Sequence, residues 1–161
     1  MFTIKEILNM AIRIEENGEA IYRNAMEKIS NPTLVSLLEW MADEEVDHAK
    51  WFSDLKQEIE TPSKNPFMED MNQELLNDII GDQSFSLKEV DFSQIEHSRN
   101  LIDIFIEFEK DSILFYEMLQ VLIQDEETLA QLHKIITEEY NHIQKLQEFM
   151  ESDMSVMENS F

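Results

Sequence analysis

The segment Asp43-Glu44-Glu45-Val46-Asp47-His48 places a glutamate and a histidine three residues apart inside a long helical pattern of apolar residues. Apolar residues at alternating steps of three and four form the buried face of a bundle helix. Here that face contains Leu34, Leu38, Met41, Glu45, His48, Phe52, Leu55 and Ile59. Because burial of an unpaired carboxylate costs several kcal/mol, Glu45 and His48 need partners inside the bundle.

Three further helical patterns are interrupted in the same way, each by a glutamate near the middle of its buried face. The interrupting residues are Glu15, Glu109 and Glu139, and His142 follows the last of them by three residues. The three faces read Ile4, Leu8, Ala11, Glu15, Gly18, Tyr22, Ala25, Ile29; Ile102, Phe105, Glu109, Ser112, Tyr116, Leu119, Ile123; and Leu132, Ile135, Glu139, His142, Leu146, Phe149. Four carboxylates in one buried layer are tolerated only if protons or cations compensate their charge, and two divalent metal ions meet this need.

The interruptions belong to an internal repeat. An offset of 94 residues superimposes the two halves of the chain, because 139 less 45 and 109 less 15 are both 94. The matched residues are Glu15 with Glu109, Tyr22 with Tyr116, Glu44 with Glu138, Glu45 with Glu139, and His48 with His142. A single glutamate-histidine pair arises easily by chance in so acidic a chain, but two pairs in one repeated framework do not.

The spacing also indicates how a metal is bound. A glutamate and a histidine at positions i and i+3 lie on one helix face, so both can bind one metal while the glutamate reaches a second. This arrangement is typical of carboxylate di-iron bundles. Oxygen ligands supplemented by imidazole favour iron or manganese over copper, and zinc also fits. We predict a site for two iron ions, with the ligands Glu15, Glu45, His48, Glu109, Glu139 and His142.

Composition restricts the fold and the partners. The 161 residues contain only two glycines and three prolines, which favours one all-α domain of long helices. Lys and Arg number 12 against 35 Asp and Glu, for a net charge of -23, so we expect neither nucleic acid nor a membrane surface as a partner. Cysteine is absent, which excludes thiolate metal sites. With no apolar run of membrane-spanning length, we expect a cytoplasmic protein.

Capping signals divide the chain into helices. Thr3 and Glu6 form a capping box for a first helix that runs to about Ile29. Asn31 and Pro32 begin a second helix, which ends near Glu60. Short links between helices one and two, and between three and four, predict two antiparallel hairpins.

The second half follows a crossover. Residues 68–80 read as a short helix, and Ser86 with Glu89 offers a further capping box. A third long helix is established by Ser93 and continues to about Ile123. Asp125 caps a fourth helix through Phe149, followed by a polar tail. We predict a bundle over residues 1–153, with repeat halves at about 3–60 and 93–153, a connector at 61–92 and a flexible tail at 154–161.

At these residues the sequence resembles the rubrerythrin-like branch of the ferritin-like di-iron family over nearly the whole chain. Matching segments include residues 14–22, 31–32, 43–48, 108–116 and 138–142. The resemblance implies that Glu45 and Glu139 bridge the two metals. It implies that Glu15 and Glu109 are terminal ligands, and that His48 and His142 each supply one nitrogen. It also implies a ferritin-like antiparallel four-helix bundle made of two helix hairpins joined by a long crossover.

Two departures from that family affect the expected function. Full rubrerythrins carry a cysteine-rich electron-transfer module, and a chain without cysteine needs a separate electron donor protein. Rubrerythrins also use an extra glutamate one turn from the third-helix ligand, where this chain has Ile106 and Ser112. The second departure weakens a peroxidase assignment and makes the expected site more symmetric, as in bacterioferritin.

Several other residues have two interpretations. Tyr22 and Tyr116 can hydrogen-bond ligands across the bundle or simply fill the core. Glu44 and Glu138 can orient the opposing histidines or lie on a solvated surface. Gly18 and Ser112 can leave room for a small oxidant or permit tight helix packing. The remaining histidines, His97 and His133, are expected at the surface.

We therefore predict an oxidoreductase in which iron(II) reduces hydrogen peroxide or dioxygen, with a role in oxidative stress. No catalytic residue separate from the metal ligands is predicted, and protons come from Tyr22, Tyr116 or water. The first alternative is iron storage or transport in a large cage. A second alternative is a non-catalytic bundle that binds a protein partner. We expect a homodimer.

Overall fold

In a computed structural model of the protein, residues 4–59 and 98–157 are the part of the chain that is described. They form four helices: α1 (Ile4–Met26), α2 (Pro32–Ile59), α3 (Ser98–Gln120) and α4 (Glu126–Met157). No strand occurs in these residues, and the predicted all-α four-helix bundle is confirmed. Thr3, the crossover with its short helix at 68–80, the Ser86–Glu89 pair, His97 and residues 158–161 lie outside the described residues.

The second helix of each hairpin begins at the predicted capping residue. The side-chain oxygen of Asn31 accepts hydrogen bonds from the backbone N–H groups of Thr33 and Leu34, at 2.9 and 3.2 Å. Asp125 accepts from the backbone N–H of Thr128 at 2.9 Å and from its hydroxyl at 2.7 Å. Such side chains satisfy donors that the first helical turn leaves unpaired. Both caps are confirmed, and they also differ by 94 positions.

The first helix of each hairpin ends earlier than predicted, three residues before Ile29 and Ile123 respectively. Each helix closes through tighter backbone bonds to the carbonyl three residues back, such as Lys28 to Ala25 at 2.9 Å. Ile29 and Ile123 are nevertheless only 7% exposed each. The apolar pattern extends past the helix because burial continues into the turn.

The fourth helix ends later than predicted, at Met157 rather than near Phe149. Residues 150–157 contain neither glycine nor proline, so no residue type stops the helix there. The helical part of α4 therefore includes the beginning of the segment predicted to be a flexible tail.

Packing occurs first within each hairpin and then between the hairpins. The main partner of α1 is α2, and that of α3 is α4. Contacts of α1 with α3 and of α2 with α4 join the hairpins around a core of apolar side chains from all four helices. None of the helices in the described ranges combines the length and apolar character needed to cross a membrane.

Candidate metal centre

Each helix contributes one glutamate to a buried layer in the middle of the bundle. Glu15, Glu45, Glu109 and Glu139 are at most 1% exposed. His48 and His142, each one turn after a glutamate, are 3% and 0% exposed. The structure thus brings together all six residues predicted as ligands. Their role as ligands stays a prediction.

The six residues form two overlapping groups, in each of which one possible ligand atom per residue lies within 4.8 Å of the others. One group contains Glu15, Glu45, His48 and Glu139, and the other contains Glu45, Glu109, Glu139 and His142. Only Glu45 and Glu139 belong to both. These are the two residues expected to bridge a pair of metals.

Both histidines direct the Nδ1 atom into this layer. His48 Nδ1 lies 2.7 Å from Oε1 of Glu139 and 3.5 Å from Oε2 of Glu15. His142 Nδ1 lies 3.3 Å from an oxygen of Glu109, 3.3 Å from one of Glu139 and 3.5 Å from one of Glu45. The ring centroids are 6.4 Å apart, and their planes differ by 22°. One imidazole nitrogen therefore faces each group of carboxylates.

The outer nitrogen of each histidine contacts a carboxylate of the other hairpin. His48 Nε2 lies 3.2 Å from Glu138, and His142 Nε2 lies 3.1 Å from Glu44. Glu44 and Glu138 directly precede the two shared glutamates. The repeat therefore gives α2 and α4 the same contact in both directions, from the histidine of one helix to the outer glutamate of the other. A carboxylate on the outer nitrogen determines the ring orientation of a metal-binding histidine. This geometry favours the orienting interpretation of both residues over a solvated surface.

The two tyrosines also connect the hairpins. The hydroxyl of Tyr22 donates to Glu109, and that of Tyr116 donates to Glu15 at 2.5 Å. Both rings are fully buried. Burial, and then the nearby glutamate charges, raise the pKa of each phenol well above its usual value. The phenols therefore keep their protons and hold the two unshared glutamates in place.

One oxygen of each glutamate has no hydrogen-bond partner although it is buried. These atoms are Glu15 Oε2, Glu45 Oε1, Glu109 Oε2 and Glu139 Oε2. Buried polar atoms are normally paired, because an unpaired one costs about 1–3 kcal/mol and more when it is charged. Four such atoms in one layer, with two imidazole nitrogens beside them, are a suitable donor set for hard or borderline divalent metals. The residues present thus fit a two-metal centre.

Three of the buried glutamates have shifted pKa values, and the shifts differ in direction. Burial raises the pKa of Glu45 well above its usual value, and the charges of Glu139 and Glu15 add to this. Burial and the charge of Glu139 raise the pKa of Glu109 to about 8. For Glu139, burial and the charge of Glu15 also act to raise the pKa, but the close contacts with Glu109, His142 and His48 outweigh them and lower the pKa. In the metal-free protein Glu139 is therefore ionised at neutral pH.

The histidines respond to the same charges. Burial acts to lower the pKa of His48, but its hydrogen bond with Glu139 and its contact with the carboxylate of Glu15 raise it to about 11. For His142, burial is likewise outweighed by Glu109, Glu139 and Glu44, so the pKa is raised well above its usual value. Imidazolium ions thus balance part of the carboxylate charge. A metal bound by these residues would take the place of these protons.

The space beside Gly18 is filled by an aromatic ring. A Cβ atom on Gly18 would lie 3.0 Å from Cε1 of Phe108 and 3.4 Å from Cδ of Glu45. At the equivalent position, the hydroxyl of Ser112 donates to the carbonyl oxygen of Phe108 at 3.1 Å. This arrangement favours tight helix packing over room for an oxidant at Gly18. Sequence reasoning did not identify Phe108 as the ring that requires the glycine.

Of the two remaining histidines, His133 is exposed and contacts Gln120 at 2.9 Å, as the surface prediction required. A residue that sequence reasoning missed is Trp40. This residue is 37% exposed, and its indole packs edge-on against the ring of His142, with centroids 5.2 Å apart. The apolar pattern could not identify it, because Trp40 lies off the buried face of its helix.

Comparison with known proteins shows two similarities that span the centre. A family model described as rubrerythrin matches residues 6–150. A solved structure from Thermotoga maritima, proposed to be a ferritin-like diiron-carboxylate protein, is 26% identical and has a TM-score of 0.68. The match covers 94% of this chain and 97% of that chain. No curated protein sequence matches this chain.

Proposed function

The chain belongs to the rubrerythrin family, and from this premise we propose that its buried layer holds two iron ions and reduces hydrogen peroxide or dioxygen. One observation carries the proposal: four buried glutamate oxygens lack partners while two imidazole nitrogens face the same layer. In a core without a bound ligand such a set only destabilises the fold, because each buried oxygen without a hydrogen-bond partner costs free energy. A role in protection against oxidative stress follows from this chemistry.

The proposed ligand arrangement uses the two overlapping groups. Glu45 and Glu139 would contribute oxygens to both metal sites, because they are common to both groups. Glu15 and His48 complete one set, and Glu109 with His142 the other. Iron is the proposed metal, since oxygen and imidazole ligands suit it, while manganese and zinc remain chemically compatible. Held by these residues, two iron(II) ions would supply two electrons in total for reduction of the oxidant.

The surrounding residues hold the ligands and exclude water. Tyr22 donates to Glu109 and Tyr116 donates to Glu15, and the raised pKa of each phenol keeps these donors protonated. The rings therefore orient carboxylates rather than release protons, which favours water over tyrosine as the proton source. Phe105 packs edge-on against Tyr22 with centroids 5.0 Å apart. The aromatic packing keeps bulk water from the layer.

A complete catalytic cycle requires electrons from outside the chain. The sequence has no cysteine and therefore no thiolate electron-transfer site. We propose a separate electron donor protein, and we propose that the functional unit is a homodimer in the cytoplasm. An acidic protein of charge -23 favours a donor whose docking surface is positive.

The test begins with anaerobic loading of the purified protein with iron(II), followed by desalting and measurement of iron per chain. A wild-type content of about two is expected for a carboxylate di-iron bundle. One equivalent of peroxide should then oxidise both ions in a stopped-flow absorbance experiment. His142→Ala should lose the iron and the oxidation. His133→Ala, on the exposed side of the same helix, is the matched control and should behave as wild type.

Three results would refute the proposal. Retention of iron and of peroxide reactivity by His142→Ala would place the site elsewhere. Uptake of tens of iron atoms per chain, together with elution far above a dimer on size-exclusion chromatography, would instead identify iron storage in a cage. Absence of iron uptake by a folded wild type would favour a bundle without this chemistry.

A further inference from the structure

Both tryptophans occupy positions at which the repeat is broken. The offset of 94 aligns Trp40 with Lys134 and Trp51 with Lys145, although the ligands on the same helices are identical. Trp40 is 37% exposed on one side and contacts the fully buried ring of His142 on the other. A single side chain thus joins solvent to one of the proposed ligands.

We propose that Trp40 is the point at which electrons from an external one-electron carrier reach the centre, through its contact with His142. This inference rests on the proposed function. Two carrier molecules give one electron each, and two iron(III) ions become two iron(II) ions. The indole provides the path between donor and ligand, undergoes no net oxidation or reduction, and no bond or proton is transferred at it.

Contact distance is the physical reason for this choice. Electron transfer between proteins weakens steeply as the gap between donor and acceptor widens, so the favoured entry is an exposed group that touches a ligand. The ring centroids of Trp40 and His142 are 5.2 Å apart in an edge-to-face arrangement at 78°. The equivalent position beside His48 carries the exposed Lys134, which has no ring.

A second aromatic path is longer. Trp51 lines a cavity of about 260 Å³ between the end of α2 and the start of α4. From there the ring of Phe52 follows at 5.0 Å and that of Tyr116 at a further 5.0 Å, before the hydrogen bond to Glu15. This path needs three contacts where Trp40 needs one. Trp51 is therefore the matched control.

Charge around Trp40 indicates the kind of carrier. Glu39 is adjacent in sequence and exposed, and Glu44 lies one turn later with 18% of its side chain exposed. With a net charge of -23 over the chain, a carrier with a positive docking face is attracted and one with a negative face is repelled. The rate of reduction should accordingly fall as ionic strength rises.

The first measurement uses metal-free protein, so it does not depend on activity. Trp51→Phe leaves Trp40 as the only tryptophan, and Trp40→Phe leaves Trp51. Fluorescence quenching by the methyl viologen dication is compared with quenching by neutral acrylamide. Trp40 should be quenched more strongly than Trp51 by acrylamide, because it is the more exposed of the two. The dication should quench both, since Glu39 lies next to Trp40 while Asp54, Glu58, Asp125 and Glu127 line the cavity beside Trp51, and added salt should weaken its effect on either. Equal quenching of both tryptophans by acrylamide would overturn the claim that Trp40 is the accessible one.

The second measurement separates the two half-reactions of iron-loaded protein. Reduced methyl viologen is mixed with the oxidised centre, and hydrogen peroxide is mixed with the reduced centre. Trp40→Leu should slow reduction by an order of magnitude and leave iron content and peroxide oxidation unchanged. Trp40→Phe, which retains a ring, should keep most of the rate of reduction. The oxidised centre of Trp51→Leu should be reduced at the wild-type rate.

The results distinguish this inference from the proposed function. If wild type takes up no iron or does not react with peroxide, the proposed function fails and the inference fails with it. If wild type behaves as proposed but Trp40→Leu is reduced at the normal rate, only the inference is overturned. If the centre is reduced slowly only in Trp51→Leu, electrons enter through the cavity beside Trp51, and the inference is overturned. Loss of iron in Trp40→Leu would make Trp40 a packing residue and would also overturn the inference.

Discussion

In the hairpin of α1 and α2, Gly18 lies against the ring of Phe108, whereas the equivalent position in the hairpin of α3 and α4 is Ser112, bonded to its own helix. The aligned tryptophan and lysine positions differ as well. All six proposed ligands, both tyrosines and both outer carboxylates are nevertheless matched. The two halves are therefore equivalent only where they face the buried layer. Helix packing and surface contacts are free to differ.

Even the matched glutamates differ in charge. Glu45 has a raised pKa and Glu139 a lowered one, because Glu139 lies closest to His48 while Glu45 has no imidazole within 3.3 Å. Identical residues at equivalent positions thus acquire different protonation through their neighbours. Substitutions at matched positions can test how far the equivalence extends.

The largest effect is expected from the glutamates common to both groups. Glu45→Gln or Glu139→Gln should abolish binding of both metals, because each of these side chains serves both ions. A di-iron bundle is expected to bind about two metal ions per chain. Glu15→Gln or Glu109→Gln should lose one of them and keep the other. Metal content after desalting, measured by atomic emission, checks this. Loss of both metals in Glu15→Gln would show that the groups do not fill independently.

The next largest effect is expected on the free energy of unfolding of the metal-free protein. Removal of one partner from a buried ion pair costs about 3–5 kcal/mol, so Glu139→Gln should destabilise the fold strongly at neutral pH. Glu45→Gln should be neutral or stabilising, because Glu45 is already protonated in the folded metal-free protein. Chemical denaturation after chelation measures both.

The dependence on pH has a definite sign. A raised folded pKa means that the folded state binds more protons, so Glu45 and Glu109 lower stability as pH rises from the unfolded carboxyl value toward about 8 for Glu109. Glu45→Gln should make this decline shallower. Glu139 has a lowered pKa, so its contribution is present above the unfolded value and is lost as pH falls. Identical pH profiles for the two variants would contradict these assignments.

A smaller effect is expected at the small residues beside the layer. Gly18→Ala gains about 1 kcal/mol of helix propensity, but displacement of the Phe108 ring costs about 1–3 kcal/mol. We expect a net loss of up to about 2 kcal/mol and weaker metal binding, since Glu45 is also close. Ser112→Ala removes only a bond within the helix and should cost less than about 1 kcal/mol. Thermal unfolding of the two variants provides the comparison, and equal losses would show that the asymmetry is unimportant.

The smallest effect is expected at the two helix caps. Asn31→Ala should lose about 1 kcal/mol at any pH, because an amide cap does not titrate. Asp125→Ala should lose stability only above the unfolded pKa, since hydrogen bonds from Thr128 lower the pKa of the folded carboxyl. As pH falls through the folded pKa, this variant and wild type should converge. Chemical denaturation of both variants and wild type at neutral and acid pH measures these differences in stability.

Most of the fold was predictable because the spacing of apolar and ligand-type residues along the chain shows the internal repeat of 94 residues. The caps at Asn31 and Asp125 and the helical class followed from local chemistry, and the structure confirms them. The ends of α1 and α3 did not follow, because Ile29 and Ile123 are buried outside the helix. Burial and backbone hydrogen bonding are separate properties, and an apolar pattern reports only the first.

By itself, the sequence determined which side chains each helix buries, and hence that four glutamates and two histidines would share one layer. The tertiary structure alone decided which residue meets which: Tyr22 with Glu109, His48 with Glu138, and Trp40 with His142. The reason is geometric. Periodicity specifies the direction of a side chain from its own helix axis, but contacts across a bundle depend on the relative shift and rotation of two helices. Those are set by the packing of the whole core.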